Sequence, residues 1–516
     1  MATYLIGVDL GSSNAKAALF DDEGRALADY SQDIRPHQPR PGVAEYDPPA
    51  LYKATLTAIR ELVQRSGINP REVAALTLDG MISGTLGIDR EGEAVTPYTT
   101  TLDQRYAPYL NEAMRRCGDL IRQKNGTGHP TVGPKIMWIR AEMPDVYRRC
   151  HKFAIIGDYV LGKMAGLKGD EAFIDFTYLW ATGLADSVHY RWSEELCEAL
   201  EIPVEKLPRI VQPTDIIGRV TEEAARAAGL LAGTPIAAGA GDQMAGLVGA
   251  GVIERGMLAD VAGTYPVFFM CADRFTPDMQ NKMVEIIPSA IPGLWYPAVF
   301  IIGGGLSHSW FQQTFGYADE VEGRKEGKDA YAVLEEKAKG LPPGSEKVIF
   351  IPHLGGRACP LNTNFRGMWI GFSWAHRREH FYRAILEAIA YDLHLSYRAM
   401  RAAYPDVPVE KVYVYGGGAN SPLWNQIKAD VMGLPYVRLS RVDLSVLGDA
   451  IIAGKAVGLY DDMARTARRF VQETERVEPD PRRHEFYQAY VTFYGHLLQQ
   501  ATPSYDQLAT LPEWEA

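Results

Sequence analysis

The sequence predicts an α/β protein of more than one domain, and three observations carry that prediction. The chain has 516 residues, enough for two or more domains with cores of their own. Short apolar strand patterns recur along it, interspersed with helical patterns. One device, an apolar strand entering a glycine and hydroxyl turn and leaving as another apolar strand, occurs once in each half.

Composition narrows the function classes. Hydrophobic residues make up 47% and charged residues 23% of the chain, as in an ordinary globular protein. A net charge of −11 argues against non-specific nucleic-acid binding, which needs a basic face, but leaves room for an anion at a local nest of backbone N–H groups. Cys117, Cys150, Cys197, Cys271 and Cys359 form no Cys-x-x-Cys pair, and the histidines show no ligand spacing, so neither a zinc site nor a disulfide framework is expected. There is no basic leader pattern and no apolar run long enough to cross a bilayer. A reducing cytoplasm is the expected setting, with no membrane partner.

Tyr4 to Asp9 is an apolar run ending in an acid, Leu10 to Asn14 a turn, Lys16 to Phe20 a second strand and Arg25 to Gln32 a third: a meander of hairpins. Gly11, Ser12 and Ser13 can present backbone N–H groups to an anion, with Lys16 close behind. Asp9, at the end of a buried strand, needs compensation, which a hydrated Mg²⁺ beside phosphates would supply. The same residues also fit a plain β-turn. Asp47-Pro48-Pro49 starts a helix with Leu51, Thr55, Ala58 and Leu62 on one face. Val73 to Leu78 and Thr85 to Ile88 are strands around the turn Asp79 to Gly84. Asp103 and Arg105 stand two apart before a helix from about Pro108. Such a pair can bind several hydroxyls of one polyol; it can equally be a surface ion pair. Lys135 to Arg140 opens onto a helix with Trp138 in the core. Ile174 to Trp180 is expected as loop and turn, and Leu207 to Val220, with Pro208 and Pro213, as connection.

The central stretch runs from Ala237 to Gly249. An apolar strand, Thr234 to Ala238, leads through Gly239-Ala240-Gly241 to Asp242 and Gln243, then into a small-residue helix. Flanking glycines allow a sharp turn and a close approach, placing the Asp242 carboxylate at a strand-to-helix junction. As a helix N-cap Asp242 would need no further role. Downstream, Met257 to Phe269 repeats the opening device around Gly263 and Thr264. Phe300 to Gly305 is a strand ending in glycines. Val412 to Tyr415 enters Gly416-Gly417-Gly418 before a helix from about Pro422, a junction where a nucleotide can meet backbone and helix N-terminus together. The dinucleotide Gly-x-Gly-x-x-Gly spacing is absent here and at Gly239. The last stretch, from Asp462, reads as helix and polar tail.

In this order the motifs resemble those of the FGGY carbohydrate kinases, within the actin, hexokinase and heat-shock ATPase superfamily. Asp9-Leu10-Gly11-Ser12 with Lys16 is similar to that family's first phosphate motif, Gly239 to Gln243 to its catalytic-aspartate motif, and Ala262-Gly263-Thr264 to its second phosphate motif. Gly367 to Phe372, followed by His380 to Glu387, is similar to its second signature, and Gly416 to Ala419 to its adenosine motif. The resemblance implies two ribonuclease-H-like domains with a cleft between them, drawn here as 1–254 (sugar, first phosphate motif, catalytic acid) and 255–516 (nucleotide). It implies ATP and Mg²⁺ as cofactors, Asp242 as general base, and Asp9 and Asp242 as the metal-binding pair. Gly11, Ser12, Ser13, Lys16, Gly263, Thr264, Gly305, Gly417, Gly418 and Ser421 would line the nucleotide. Ile82, Ser83, Asp103, Arg105, Asp242 and Gln243 would line the sugar. A homodimer is the expected assembly.

The substrate pocket departs from xylulokinases, which carry Gln-Met-His-Gly where this chain has Met81-Ile82-Ser83-Gly84 and Gly-Glu-Arg-x-Pro where it has Gly356-Arg357-Ala358-Cys359-Pro360. Asp103 and Arg105 match the Asp-x-Arg of ketopentose and autoinducer-2 kinases. The expected acceptor is therefore a linear or open-chain polyol or keto-sugar, xylulose first. Two other classes share parts of the pattern: an ATP-driven binding protein of the actin or heat-shock type, and a sugar-binding regulator without catalysis.

Overall fold

The computed structural model describes residues 3–100, 102–441 and 443–512. Two central sheets organise it. The first has six strands, in the order Ile216–Arg219, Pro235–Ala237, Val73–Gly80, Tyr4–Leu10, Asn14–Asp21, Ala26–Asp33. The second has seven, in the order Glu285–Pro288, Trp295–Phe300, Val267–Met270, Leu258–Val261, Val412–Tyr415, Tyr436–Leu439, Glu473–Val477.

The two sheets repeat one plan. Tyr4–Leu10 pairs antiparallel with Asn14–Asp21 and parallel with Val73–Gly80. Leu258–Val261 pairs antiparallel with Val267–Met270 and parallel with Val412–Tyr415. A next parallel strand extends each side, Pro235–Ala237 in one and Tyr436–Leu439 in the other. The twice-used strand–turn–strand device thus begins each sheet, and the fold is the two-domain actin-like ATPase architecture that the resemblance implies.

Local sequence explains the elements that position the cleft. Asp47 caps the helix Pro48–Ser66 by accepting from the Ala50 N–H, and Gly67 ends it in the left-handed region at φ 66°. Leu51, Thr55, Ala58 and Leu62 are all buried on the first sheet. The helix Leu444–Ala456 lies late in the chain but packs on the helix Asp242–Gly249 and on the strands Tyr4–Leu10 and Val73–Gly80. Glycines permit that approach: a Cβ on Gly448 would come within 1.8 Å of the Ala245 carbonyl oxygen, and one on Gly7 within 2.2 Å of that of Val446. Met244, Leu247 and Val248 share an apolar cluster with Ala259, Phe269, Tyr296 and Ile451, so the core between the two sheets is continuous.

Three regions differ from expectation. Ile216–Arg219, placed in a proline-bearing connection, is the edge strand of the first sheet and pairs only with Pro235–Ala237. An edge strand tolerates neighbouring prolines because one side needs no ladder. Phe173–Asp175 and Phe176–Ala181 form a strand and a 3₁₀ turn rather than loop. The C-terminal stretch contains a helix, the edge strand Glu473–Val477 and a further helix, Pro481–Leu508. Charged, half-solvated residues of Glu473–Val477 hide the strand period. Residues 513–516 of the expected tail, and Thr101, lie outside the described residues.

Candidate active site

The site forms where strands of the first sheet end. Asp9 is the penultimate residue of its strand and is in register with Asp79 on one side and Lys16 on the other. Gly80 bridges in parallel to Gly241, which brings Asp242 beside the same strand ends. Gly241, not Asp242, is the N-cap of the helix; Asp242 is its first residue. Its Oδ1 accepts from the Gln243 N–H at 2.6 Å. The capping role read from the sequence is therefore taken by the glycine, and the carboxylate is left for other work.

Asp242 keeps partial contact with solvent, yet burial, and then the Asp9 carboxylate, push its pKa up to about 7. Asp9 is also raised, by burial, against hydrogen bonds to Asp79 and Ser445 and the charge of Lys16; its Oδ2 accepts from the Ser445 hydroxyl at 3.4 Å. Beneath them lie two acids that sequence reasoning missed. Asp79 and Asp449 have no solvent exposure, and the Asp79 N–H donates to the Asp449 Oδ2 at 3.2 Å. Burial first, then the neighbouring carboxylates Asp449, Asp9 and Asp242, drives Asp79 well above the usual carboxylate range. With 370 positions between Asp79 and Asp449, no local pattern could pair them.

A buttress holds the Asp242 turn. The Thr177 Oγ1 accepts from the Gly241 N–H at 2.9 Å and donates to the Asp175 Oδ1 at 2.5 Å. The Tyr178 hydroxyl accepts from the Gly80 N–H and donates toward the carbonyls of Gly80 and Ala240. Gly239 at φ 85° makes the turn possible, since a Cβ there would lie 2.3 Å from the Leu78 carbonyl oxygen.

On one side of Asp242 are the residues expected to meet a sugar. Ile82 packs against Gly241, and Ser83 adopts φ 72°, a left-handed conformation uncommon for a residue with a Cβ. The carboxylate of Asp103 is buried and saturated: it accepts from the Ala44 N–H, the Arg105 N–H and the Arg105 guanidinium. Arg105 also donates to Glu45 and lies over the Trp138 ring, 4.5 Å from its centroid. The expectation that acid and guanidinium both meet the substrate is revised here: Asp103 fixes Arg105, and Arg105 retains Nη1, which takes no protein acceptor among the described residues. The Gln243 Oε1 is buried without a partner among the described residues.

In the second sheet the glycine elements converge on one hairpin. The Gly305 N–H donates to the Gly263 carbonyl at 3.2 Å, the Leu306 N–H to that of Thr264, and the Gly418 N–H to that of Ala262 at 2.8 Å. A Cβ on Gly305 would sit 2.6 Å from the Gly263 oxygen, whereas one on Gly417 would meet nothing within 4 Å. Gly417 therefore borders open space while its neighbours are packed. The Ser421 hydroxyl is engaged, donating to Glu335 and accepting from the Trp424 N–H.

The first hairpin is less free than the sequence suggests. The Gly11 N–H is spent on the Asn14 carbonyl, and the Ser12 carbonyl accepts from Tyr46. Ser12 and Ser13 are exposed at the tip. Lys16 pairs with Asp443 at 2.5 Å, so its ammonium is already partnered. Among the described residues no group of three or more His, Cys, Asp or Glu is placed to hold a metal ion; Asp9 and Asp242 stand as a pair.

Two sheets of one plan, each opening on a glycine-hydroxyl hairpin, with an acid of raised pKa at the strand ends, make up the actin-like ATPase fold. Residues 4–249 match the N-terminal domain, and residues 261–457 the C-terminal domain, of the FGGY family of carbohydrate kinases. The chain belongs to that family, and its enzyme class is carbohydrate kinase, which implies ATP as phosphoryl donor. It is 26% identical over 497 residues to a xylulose kinase of Bacillus subtilis, covering 96% of each chain. It is 27% identical over 537 residues to an autoinducer-2 kinase of Klebsiella pneumoniae, covering 100% of this chain and 97% of the relative. A ligand-bound xylulose kinase structure from Lactobacillus acidophilus superposes with a TM-score of 0.89 at 25% identity, covering 98% of this chain and 100% of that one.

Proposed function

We propose that this kinase transfers the terminal phosphoryl group of ATP to a hydroxyl of a small open-chain sugar or polyol, with Asp242 as general base. The observation that carries the reading is Asp242 itself, set at the strand ends by the Gly80–Gly241 bridge with a pKa raised to about 7. A base poised near the working pH is effective in proton transfer. The sugar side belongs to residues 1–254, the nucleotide side to 255–516.

Asp9 and Asp242 fit a hydrated Mg²⁺. Both carboxylates are raised by burial, and Asp9 raises Asp242 further, so the pair gains from a cation, and Mg²⁺ commonly keeps its waters and takes only one or two carboxylates. When bound, Mg²⁺ supplies charge neutralisation for the phosphates. Asp242 accepts the acceptor hydroxyl's proton at a carboxylate oxygen; Arg105, set by Asp103, Glu45 and Trp138, orients the acceptor; the Gly263 and Thr264 hairpin holds the phosphates. Positioning and electrostatics supply most of the catalysis in phosphoryl transfer.

Relatives are named for xylulose and for autoinducer-2, and we take a ketopentose, xylulose first, as the leading acceptor, with an autoinducer-2-type ligand or a sugar alcohol next. The working form is a cytoplasmic enzyme, with a homodimer as the assembly to check by sedimentation. The deciding experiment is ADP release over a panel of ketopentoses, deoxy-ketohexoses and alditols. One of them should drive turnover, and Asp242→Ala should abolish it. An ATPase indifferent to every sugar but stimulated by a protein would replace this reading with an ATP-driven binding protein.

A further inference from the structure

Lys135 is the one charged residue in the run Val132-Gly133-Pro134-Lys135-Ile136-Met137-Trp138-Ile139, every member of which is buried. It has no exposure at all. An ammonium taken out of water is ordinarily paired with a carboxylate, but this one forms no ion pair among the described residues. Its Nζ donates instead to two backbone carbonyls, those of Ser83 at 3.0 Å and Thr99 at 2.7 Å, and lies 4.9 Å from the centroid of the Tyr106 ring. A methionine of similar length would satisfy the hydrophobic surroundings without that desolvation.

The two carbonyls belong to the two segments that reach the sugar side of the cleft. Ser83 is the residue in the left-handed region, and such backbone strain persists only where the surroundings fix it. The turn is pinned from the far side as well. The Tyr98 hydroxyl donates to the Met81 carbonyl at 2.8 Å, and a Cβ on Gly84 would fall 2.1 Å from the Tyr98 ring. Thr99 begins the segment that carries Asp103 and Arg105. Among the described residues, the one backbone–backbone hydrogen bond that runs directly between the segments is weak, from the Thr99 N–H to the Thr85 carbonyl at 3.4 Å.

We propose that Lys135 is a positioning residue of the acceptor pocket: its ammonium clamps the segment of Ser83 to the segment of Arg105 and so sets the distance across which the sugar is held. The inference rests on the reading of those segments as the sugar side. The charged and titratable groups facing Lys135 are Asp103 and Arg105 from the second segment, His129 from the preceding loop, and Tyr106 beneath it. Burial lowers Lys135 to about 7, with Asp103 opposing and Arg105 adding to the fall. Burial, then Lys135, lowers His129 to about 4, so His129 is neutral near pH 7. The clamp therefore weakens as pH rises through neutrality.

The test uses the full-length enzyme, D-xylulose and L-ribulose as acceptors, and ATP. Lys135→Met should raise the KM of whichever acceptor turns over by at least about tenfold, and shift the ATP KM by less than about twofold. The wild-type enzyme needs no substitution to be informative: its acceptor KM should climb on the alkaline side of about pH 7 while its ATP KM stays level. Lys135→Arg, whose charge persists at high pH, should flatten that climb. An acceptor KM that is level with pH in the wild type, or equal in wild type and Lys135→Met, overturns the clamp. If neither acceptor turns over in the wild type, the ketopentose reading fails, and a thermal shift by either sugar, lost in Lys135→Met but kept in Lys135→Arg, supports the clamp alone, whereas a shift equal in wild type and Lys135→Met overturns it.

Discussion

The guanidinium of Arg105 lies against the carboxylate of Asp103, donating from Nε to both oxygens at 3.0 Å and from Nη2 at 2.6 Å. Asp103 is 1% exposed and has no lone pair to spare for a ligand once Ala44 is counted. The pair is thus asymmetric: the acid is the mount, and under the proposed function the guanidinium is the group left to meet the acceptor. Arg105→Lys keeps the charge but loses the planar fork and the stacking on Trp138. It should raise the acceptor KM by roughly tenfold to a hundredfold, the scale of a small misplacement of a binding group, with the protein folded normally. Asp103→Asn should do the same and also lower stability, by about 1–3 kcal/mol, because buried charged hydrogen bonds are broken. Steady-state kinetics together with urea unfolding separate the two; equal stability losses in both variants would refute the division of labour.

As the proposed general base, Asp242 is expected to set the pH dependence. A base must be ionised, so kcat/KM, which reports the free enzyme, should rise with pH and level off above about 7, following the raised pKa of Asp242. Asp242→Asn should lower kcat by about a thousandfold, within the range assigned to general-base catalysis, and remove the acidic limb. Stability runs the other way. The folded pKa lies above the unfolded one, so the protonated side chain contributes stability that is lost as pH rises from the ordinary carboxylate range to about 7. Asp242→Asn should therefore melt at a higher temperature than the wild type at about pH 8, with the gap closing at low pH. A gap of the same size at both ends would mean that the substitution acts by something other than charge.

Thr177 tests whether the turn before the base is held from outside. Its hydroxyl is the sole acceptor found for the Gly241 N–H among the described residues and a donor to Asp175. Thr177→Val keeps the shape and leaves both partners unsatisfied, at a cost of about 1–3 kcal/mol. kcat should fall by roughly tenfold, with the ATP KM little changed, since a displaced base affects the chemical step. Thr177→Ser should restore most of the activity. A valine variant that is less stable but fully active would make Thr177 a structural residue alone.

How much of this could be read beforehand depended on whether the signal was local. The hairpins at Gly11 and Gly263, the acid after Gly241 and the glycines of 416–418 are short patterns, and the structure keeps each at a strand end. The buttress Asp175-Thr177-Tyr178 looked like loop because a three-residue strand and one 3₁₀ turn leave no period to see. Asp79 and Asp449 are ordinary residues in their own segments, and only the packing of Leu444–Ala456 on the first sheet brings them together. Lys135 did leave a trace, a lone charge in an apolar helix without a polar face. Asp103 and Arg105 are legible as a spaced pair, but spacing alone cannot say that Asp103 is consumed in holding Arg105.

Lys428 and Asp260 form an ion pair at 2.6 Å with neither side chain exposed, and the Lys428 ammonium lies 3.8 Å from the centroid of the Trp424 ring. Asp260 precedes the Ala262-Gly263-Thr264 turn, and Lys428 sits on the helix that follows the triple glycine, so the pair ties together the two elements proposed to border the nucleotide. The Asp260 Oδ1 has no partner among the described residues, and burial holds Lys428 below its ordinary value despite Asp260. A pair this buried gives little net stability while intact, yet removing one member strands the other. Lys428→Met alone should destabilise by about 3–5 kcal/mol, whereas Asp260→Leu with Lys428→Met should recover most of that loss. If the pair also sets the spacing of the nucleotide elements, the double variant will be stable but will bind ATP more weakly, by about tenfold on the scale of a slightly misplaced group. Urea unfolding and ATP titration on the four members of the cycle measure both quantities. Full recovery of ATP affinity in the double variant would leave the pair a purely structural bridge, and additive losses of stability would show that the two side chains do not act as a unit.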